Sequence, residues 1–207
     1  MLNNNPGFVL GNGRSRLAIE CSELSTYGTV YGCNAIYREF DPDYLIAVDS
    51  KMVNEIVSTG YQENHQVWTN PNKGIVSKKH LNFFSPHKGW SSGPTALWFA
   101  ASNGHLKINI LGFDFQGIDG KFNNVYADTY NYKKSNEAAT YYGNWLNQTQ
   151  RIIEEFKHIK FTRVVEEDAY HPEIFTDLKN LNTVSYDEFL DIYPNITRNQ
   201  LKNTHFA

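Results

Sequence analysis

Short apolar runs that end at glycine or polar residues recur along the chain and predict buried strands. The pattern places strands at residues 7–10, 29–33, 44–48, 66–68, 81–84, 107–112 and 159–165. Runs of this length, bounded by turn residues, are typical of a parallel sheet that is covered on both faces.

Helical patterns alternate with these strands. They predict helices at residues 16–24, 52–59, 95–101 and 144–157, with Pro94 in a first turn and Gly60 and Gly104 just past helix ends. Alternating strands and helices predict an α/β fold. We therefore expect a single Rossmann-like domain over residues 1–165, with a mostly parallel central sheet flanked by helices.

Two segments lack this alternation. Residues 116–142 are polar and rich in tyrosine, which predicts a long loop or lid. Residues 166–207 are predicted to form a C-terminal helical tail packed on the domain, with residues 186–193 as its clearest helix.

Composition narrows the class of protein. The 207 residues are 41% hydrophobic and 20% charged, as in a globular domain, and the net charge of -3 argues against non-specific nucleic-acid binding. No apolar run approaches the ~20 residues of a membrane span, and the first residues lack the pattern of a signal peptide. With only two cysteines, Cys21 and Cys33, and no CxxC spacing, a reduced cytoplasmic protein is expected.

Polar and glycine residues follow several predicted strands. Ligands of parallel sheets bind at the carboxyl ends of the strands, so these residues predict one shared pocket. They are Gly11, Asn12, Gly13, Asn34, Asp49, Ser50, Gly112 and Asp114.

The first of these turns has features of a phosphate site. Gly11 and Gly13 let a ligand approach the backbone, and free N–H groups at the following helix favour an anion. Ser15 either caps that helix or donates to the anion. The turn lacks the lysine of a P-loop and the third glycine of the dinucleotide fingerprint, so a plain tight turn is the alternative.

A second small-residue turn, Ser91, Ser92 and Gly93, opens the third predicted helix and suits a carboxylate, phosphate or ribose; simple helix capping is its alternative. Asp114 suits sugar hydroxyls, a metal or a general base, or else it caps a turn. His87 is the histidine expected nearest to the site. No histidine spacing indicates a metal centre, and none is predicted.

Four segments occur in an order that is found in a known protein family: residues 9–15, 32–37, 91–93 and 110–115. In this order the chain, from about residue 7 to 165, resembles the bacterial sialyltransferases of glycosyltransferase family 42. It also resembles the related group of motility-accessory and pterin-pyrophosphokinase-like proteins. The resemblance implies a single Rossmann-like domain that uses CMP-sialic acid without an obligatory metal or other cofactor.

The resemblance also implies roles for individual residues. Asn12 and Asn34 would contact the phosphate or the sugar; Ser91, Ser92 and Gly93 would hold the donor carboxylate or the nucleotide; Gly112 and Asp114 would line the ribose and base; Tyr126 and Tyr130 would stabilise the departing phosphate.

The chain departs from the family pattern at two positions. Arg14 stands where the family turn has proline, and Asn144 stands at the position of the family's histidine base. Asparagine cannot take a proton at neutral pH, so the base is unassigned, with His87 and Asp114 as candidates.

Three functions follow from these observations. The first is a metal-independent, glycosyltransferase-like enzyme with a CMP-sialic-acid-like donor and an unidentified acceptor. The second is a phosphoryl or pyrophosphoryl transferase with Mg²⁺, for which Asp49 or Asp119 would join Asp114. The third is a non-catalytic nucleotide-binding protein that lost the base. The expected partner is a nucleotide or nucleotide-sugar, and the resemblance allows a homo-oligomer.

Overall fold

A single sheet of eight parallel strands organises the molecule. The computed structural model describes residues 4–199. The strands lie in the order β5-β4-β3-β2-β1-β6-β7-β8, so the chain builds one half of the sheet outward from β1 and then returns to build the other. Their bounds are β1 Gly7–Leu10, β2 Thr29–Cys33, β3 Tyr44–Ile46, β4 Val67–Thr69, β5 Asn82–Phe83, β6 Lys107–Leu111, β7 Lys160–Val165 and β8 Leu181–Ser185.

Four α-helices and several 3-10 helices connect these strands. The α-helices are α1 Ser50–Ser58, α2 Ser92–Ser102, α3 Gly143–Glu155 and α4 Tyr186–Ile192. The 3-10 helices are Arg14–Ala18, Cys21–Thr26, Asn34–Arg38, Tyr61–Glu63 and Glu173–Phe175. The fold is α/β and Rossmann-like, as the sequence predicts.

Hydrophobic side chains cover both faces of the sheet. On β1, Phe8 and Leu10 belong to the core cluster that contains the buried side of α1, whereas Val9 belongs to the cluster built with α2 and α3. Neighbouring residues of a strand point to opposite faces, so an uninterrupted apolar run places side chains in both clusters. This explains why the central strands contain few polar residues.

The structure differs from the sequence prediction in two segments. Residues 16–24, predicted as one helix, form parts of two 3-10 helices, Arg14–Ala18 and Cys21–Thr26. The tail after Val165 is not purely helical, because β8 pairs in parallel with β7 at the sheet edge. The polar residues of β8, with the adjacent Asn182 and Thr183 both exposed, suit an edge strand, and they interrupt the apolar run by which a buried strand is recognised.

Residues 116–142 form the predicted long connection between β6 and α3, and it contains no α-helix or extended strand. This connection is nevertheless hydrogen-bonded to the turn after β1, where Val125 N–H donates to the Asn12 carbonyl at 2.8 Å. Arg16, which is 1% exposed, makes a bidentate pair with Glu39 and donates to the Tyr126 hydroxyl at 2.8 Å. These contacts hold the connection against the carboxyl edge of the sheet.

In the part of the chain that the structure describes, no helix is both long enough and apolar enough to cross a membrane.

Candidate functional site

A pocket of about 510 Å³ opens at the carboxyl edge of the sheet, beside the point where the strand order reverses between β1 and β6. Crevices at this position are where open parallel sheets bind ligands. Its volume falls within the usual range for small-molecule sites. The lining comes from residues 11–13, 33–34, 48–49, 89–94, 112–116, 123–124, 142 and 145.

The two glycines after β1 are required by the close approach of β1 and β6. A Cβ on Gly11 would lie 2.5 Å from the Gly112 carbonyl oxygen. A Cβ on Gly13 would lie 2.5 Å from the carboxyl of Asp114 and 2.7 Å from the same carbonyl oxygen. Separations this short are not tolerated, so both positions need glycine whether or not a ligand is bound.

The N–H groups of this turn bond to the protein itself. Gly13 N–H donates to the Gly112 carbonyl at 2.9 Å, Arg14 N–H to Asn123 Oδ1 at 3.0 Å, and Ser15 N–H to Asp114 Oδ2 at 3.2 Å. The segment that follows is a 3-10 helix of five residues, with a weaker positive end than a longer α-helix. The turn therefore shapes one wall of the pocket, and the expected phosphate cradle of N–H groups is occupied by internal acceptors.

Asn12 lines the pocket and has a buried acceptor without a partner. Its side chain is 7% exposed, and its Nδ2 donates to the Cys33 carbonyl at 3.0 Å. That bond fixes the amide orientation and leaves Oδ1 buried without a hydrogen-bond partner. Asn34, in a left-handed conformation with φ of 56°, has a second buried Oδ1 without a partner. Both residues line the pocket, so a ligand that donates hydrogen bonds would suit these two acceptors.

The start of α2 forms another part of the pocket wall. The Ser91 side chain makes no capping bond to α2, and Ser91 N–H donates to Gln148 Oε1 at 3.1 Å. The Ser92 hydroxyl accepts from Val48 N–H at 3.1 Å, which joins this helix to the end of β3. The N–H groups of Ser92 and Gly93 have no acceptor among residues 4–199 and lie at the positive end of an 11-residue helix. This end suits a negatively charged group.

Asp114 is tied to the glycine turn. Its Oδ1 accepts from the Ser15 hydroxyl, and its Oδ2 accepts from Ser15 N–H and, at 2.9 Å, from Asn123 Nδ2. Ser15 itself lies behind the wall and outside the pocket lining. The turn-capping alternative for Asp114 therefore describes its contacts in this structure.

Residues 113–115, which follow β6, form one wall of the pocket, and a buried arginine holds their main chain from the side away from the pocket. Arg163 is 2% exposed, and its Nε and Nη2 donate to the Phe113 carbonyl at 3.2 and 3.1 Å. Its Nη1 donates to the Tyr170 carbonyl at 2.9 Å. Burial away from water lowers the pKa of Arg163 to about 10, and the charge of Asp114 opposes that shift. The guanidinium fixes the main chain of the wall without entering the pocket.

Aromatic side chains supply flat faces in the pocket. Tyr142 and Trp145 stand at the start of α3 with ring centroids 5.3 Å apart, and Trp90 and Phe113 lie along the α2 and β6 sides. The Tyr142 hydroxyl is buried without a hydrogen-bond partner, next to the Asn123 backbone. Aromatic rings of this kind suit the faces of bases and sugars.

The charge of the lining is negative. Among the pocket residues in the described part of the chain there is no lysine, arginine or histidine, whereas Asp49 and Asp114 are both present. Cys33 contributes a neutral thiol, because burial raises its pKa to about 12. An anion in this pocket would depend on backbone N–H groups and helix α2 for its stabilisation.

The structure brings together most of the residues predicted to bind the nucleotide. Those that line the pocket are Gly11, Asn12, Gly13, Asn34, Ser91, Ser92, Gly93, Gly112 and Asp114. They converge because each follows a strand or opens a helix at the same edge of the sheet.

Three of the residues predicted to be catalytic lie elsewhere, and the structure corrects their placement. Tyr126 is 5% exposed and its hydroxyl binds Arg16 in the core, while Tyr130 is 76% exposed at the surface. His87 is exposed outside the lining, in the loop before α2. The sequence prediction used only the loop in which each residue lies. Loop position does not distinguish a side chain that lines the pocket from one that faces the core or solvent.

Among the lining residues that were not predicted to hold the donor or take part in the transfer are Asp49, Trp90, Tyr142 and Trp145. The position of Asp49 in the pocket could be predicted, because this residue follows β3 at the carboxyl edge of the sheet. Tyr142 directly precedes α3 and stands two residues before Asn144, which is exposed and outside the lining.

The described residues contain no group of three or more histidine, cysteine, aspartate or glutamate side chains placed to hold a metal ion. Asp119, one of the two carboxylates considered for a metal beside Asp114, is exposed and outside the pocket lining. The other, Asp49, lines the pocket.

Comparisons of the chain with protein-family models, with curated proteins and with solved structures found no match. The chemistry of the pocket is therefore the ground on which a function can be assigned.

Proposed function

We propose that this chain is a glycosyltransferase-like enzyme that binds a nucleotide-sugar of the CMP-sialic acid type in the pocket at the carboxyl edge of the sheet. It would transfer the sugar to the hydroxyl of an acceptor. One observation carries the proposal: Asn12, whose buried Oδ1 has no hydrogen-bond partner, and the uncapped start of α2 line the same pocket. A ligand that satisfies both must carry hydrogen-bond donors and a negative charge, as a nucleotide-sugar does.

The charge of the lining favours a donor with a single phosphate. A pyrophosphate would bring two or more negative charges close to Asp49 and Asp114, with no cationic side chain in the described lining to offset them. CMP-sialic acid carries one phosphodiester charge and one carboxylate. The N–H groups of Ser92 and Gly93 are placed to receive one of these groups.

The aromatic residues divide the remaining tasks. Trp90, Phe113 and Trp145 offer faces for the base and the sugar ring. The Tyr142 hydroxyl, which lacks a partner, takes the role expected of Tyr126 and Tyr130, namely donation to the departing phosphate. A donor aimed at developing negative charge is a common means of stabilising a transition state.

Nucleotide binding tests this proposal. Purified protein is screened by thermal unfolding against CMP, UDP, GDP and ATP, with and without Mg²⁺. A ligand at about 100 times its Kd adds about 2.7 kcal/mol, which for a domain of this size raises Tm by about 5–10 °C. We expect CMP to give this shift without Mg²⁺.

Two variants and one control locate the binding site. Asn12→Ala removes the orphan acceptor, and Asn34→Asp places a charge beside the donor while tolerating the left-handed backbone. Both should abolish the CMP shift, whereas Asn54→Ala, at an exposed position of α1, should retain it. Absence of a shift with every nucleotide would refute the proposal. A shift only with Mg²⁺ would favour the phosphoryl-transfer alternative.

A further inference from the structure

Sugar transfer to a hydroxyl needs a group that takes the acceptor's proton, and the pocket contains few. Among the residues that line it, the titratable side chains are Cys33, Asp49, Asp114 and Tyr142. His87, the histidine expected nearest to the site, and Asn144, at the position of the family's histidine base, lie outside the lining. The contacts of these four side chains show which of them is able to accept a proton.

Cys33 and Tyr142 hold their protons at neutral pH. Burial raises the pKa of Cys33 to about 12, and its Sγ donates to the Leu10 carbonyl at 3.3 Å. Burial also raises the pKa of Tyr142, and the neighbouring charge of Asp114 adds to that effect. Neither group is a proton acceptor in the resting protein.

Asp114 is a carboxylate, but both of its oxygens are engaged. Oδ1 accepts from the Ser15 hydroxyl, and Oδ2 accepts from Ser15 N–H and from Asn123 Nδ2. Its oxygens serve the structure of the site.

Asp49 has one carboxylate oxygen that accepts no hydrogen bond from residues 4–199. It is the N-cap of α1, where Oδ1 accepts from Lys51 N–H at 2.8 Å, and no residue among 4–199 bonds to Oδ2. The side chain is exposed and lines the pocket, so an incoming hydroxyl can reach it from solvent. The adjacent Val48 N–H bonds to Ser92 Oγ, which keeps Asp49 next to the start of α2.

We propose that Asp49 is the general base of the transfer reaction; this inference rests on the proposed function. The acceptor oxygen attacks the anomeric carbon of the sugar and forms the new C–O bond. The bond from that carbon to the phosphate oxygen breaks, and CMP leaves with the electron pair. The proton of the acceptor hydroxyl passes to Asp49 Oδ2, and the protonated carboxyl later returns it to solvent.

Asp49→Asn tests the role without removing the helix cap. Asparagine caps a helix about as well as aspartate, so α1 keeps its bond to Lys51 N–H while the proton acceptor is lost. The assay follows CMP release from CMP-sialic acid, with water as acceptor, across a range of pH. CMP binding is measured in parallel by calorimetry, and Asp191→Asn, at an exposed position of α4, is the matched control.

We expect Asp49→Asn to bind CMP within twofold of wild type and to release CMP at least about 100-fold more slowly, as for loss of a general base. Asp191→Asn should match wild type in both measurements. An Asp49→Asn rate within threefold of wild type overturns the inference and leaves the proposed function standing. Wild type that binds CMP but never releases it from CMP-sialic acid overturns it too. Wild type that binds no nucleotide refutes the proposed function, and the inference falls with it.

Discussion

The carboxylate of Asp114 is predicted to hold the pocket wall by accepting three hydrogen bonds, so its removal should cost much stability. Asp114→Ala leaves the Ser15 N–H, the Ser15 hydroxyl and Asn123 Nδ2 without this acceptor. A hydrogen bond to a charged group contributes about 1.5–3 kcal/mol. Because Asp114 is half-buried, we take the lower end of that range, which gives a loss of about 4.5 kcal/mol for the three bonds.

Asp114→Asn is the matched variant because its amide can reproduce the same pattern. The amide oxygen in place of Oδ2 accepts from Ser15 N–H and Asn123, and the amide nitrogen in place of Oδ1 donates to the Ser15 hydroxyl, which can accept. Only the strengthening by the negative charge is lost, so we expect a cost of about 1 kcal/mol.

Urea unfolding followed by tryptophan fluorescence measures both variants, and comparison requires an unchanged m-value. A loss below about 1 kcal/mol for Asp114→Ala would refute the reasoning that these bonds hold the wall. Equal losses for the two variants would show that the charge of Asp114, and not its bonding pattern, is what matters.

Two further predictions concern buried polar groups. His105 is 1% exposed, and burial lowers its pKa despite its bond to the Asn5 carbonyl, so it is neutral when folded. As pH falls below about 6.5, the unfolded chain gains a proton that the folded state resists. The free energy of unfolding should therefore fall from pH 7.5 to 5.5, and His105→Gln should show a smaller fall; equal falls would contradict this assignment. Arg16→Met removes the ion-pair partner of Glu39 and the donor to the Tyr126 hydroxyl; because the Glu39 side chain left behind is 36% exposed, the cost by urea unfolding should be about 2 kcal/mol. A cost below about 1 kcal/mol would show that the pair is unimportant to stability.

The sequence predicts the sheet well because its strands are apolar on both faces and end at glycine or polar residues. Where that pattern weakens, prediction fails. In β8, Asn182 and Thr183 face solvent at the sheet edge, so the segment resembles a loop or a helix flank. The 3-10 helices after β1 follow from tertiary contacts such as Arg16 with Glu39, which no local pattern reveals.

Residues at strand ends were predictable because topology alone brings them together. Asn12, Asn34 and Asp114 reach one pocket for that reason. The function of an individual side chain depends on its bonds, which sequence does not display. Asp114 is engaged by Ser15, whereas Asp49 keeps an oxygen unbonded within the described chain.

The connection between β6 and α3 was the least predictable part of the site. Tyr126 and Tyr142 occur in the same polar, tyrosine-rich stretch, and yet one binds Arg16 in the core and the other lines the pocket. Only the folded course of the segment distinguishes them.

Arg163 has a consequence for how this pocket could diversify. Its guanidinium grips main-chain oxygens at Phe113 and Tyr170, so the bonds themselves do not involve the side chains at those positions. Phe113 and Phe115 are buried in the core, and Arg163 lies over the Phe115 ring at 5.4 Å, so substitutions there would disturb the anchor as well. Gln116 lines the pocket and is only partly buried, so substitutions at this position would reshape the pocket surface over an anchored backbone. A set of Gln116 variants, with Arg163 retained, is where altered ligand preference should be sought, since the scaffold would persist while the pocket surface changes.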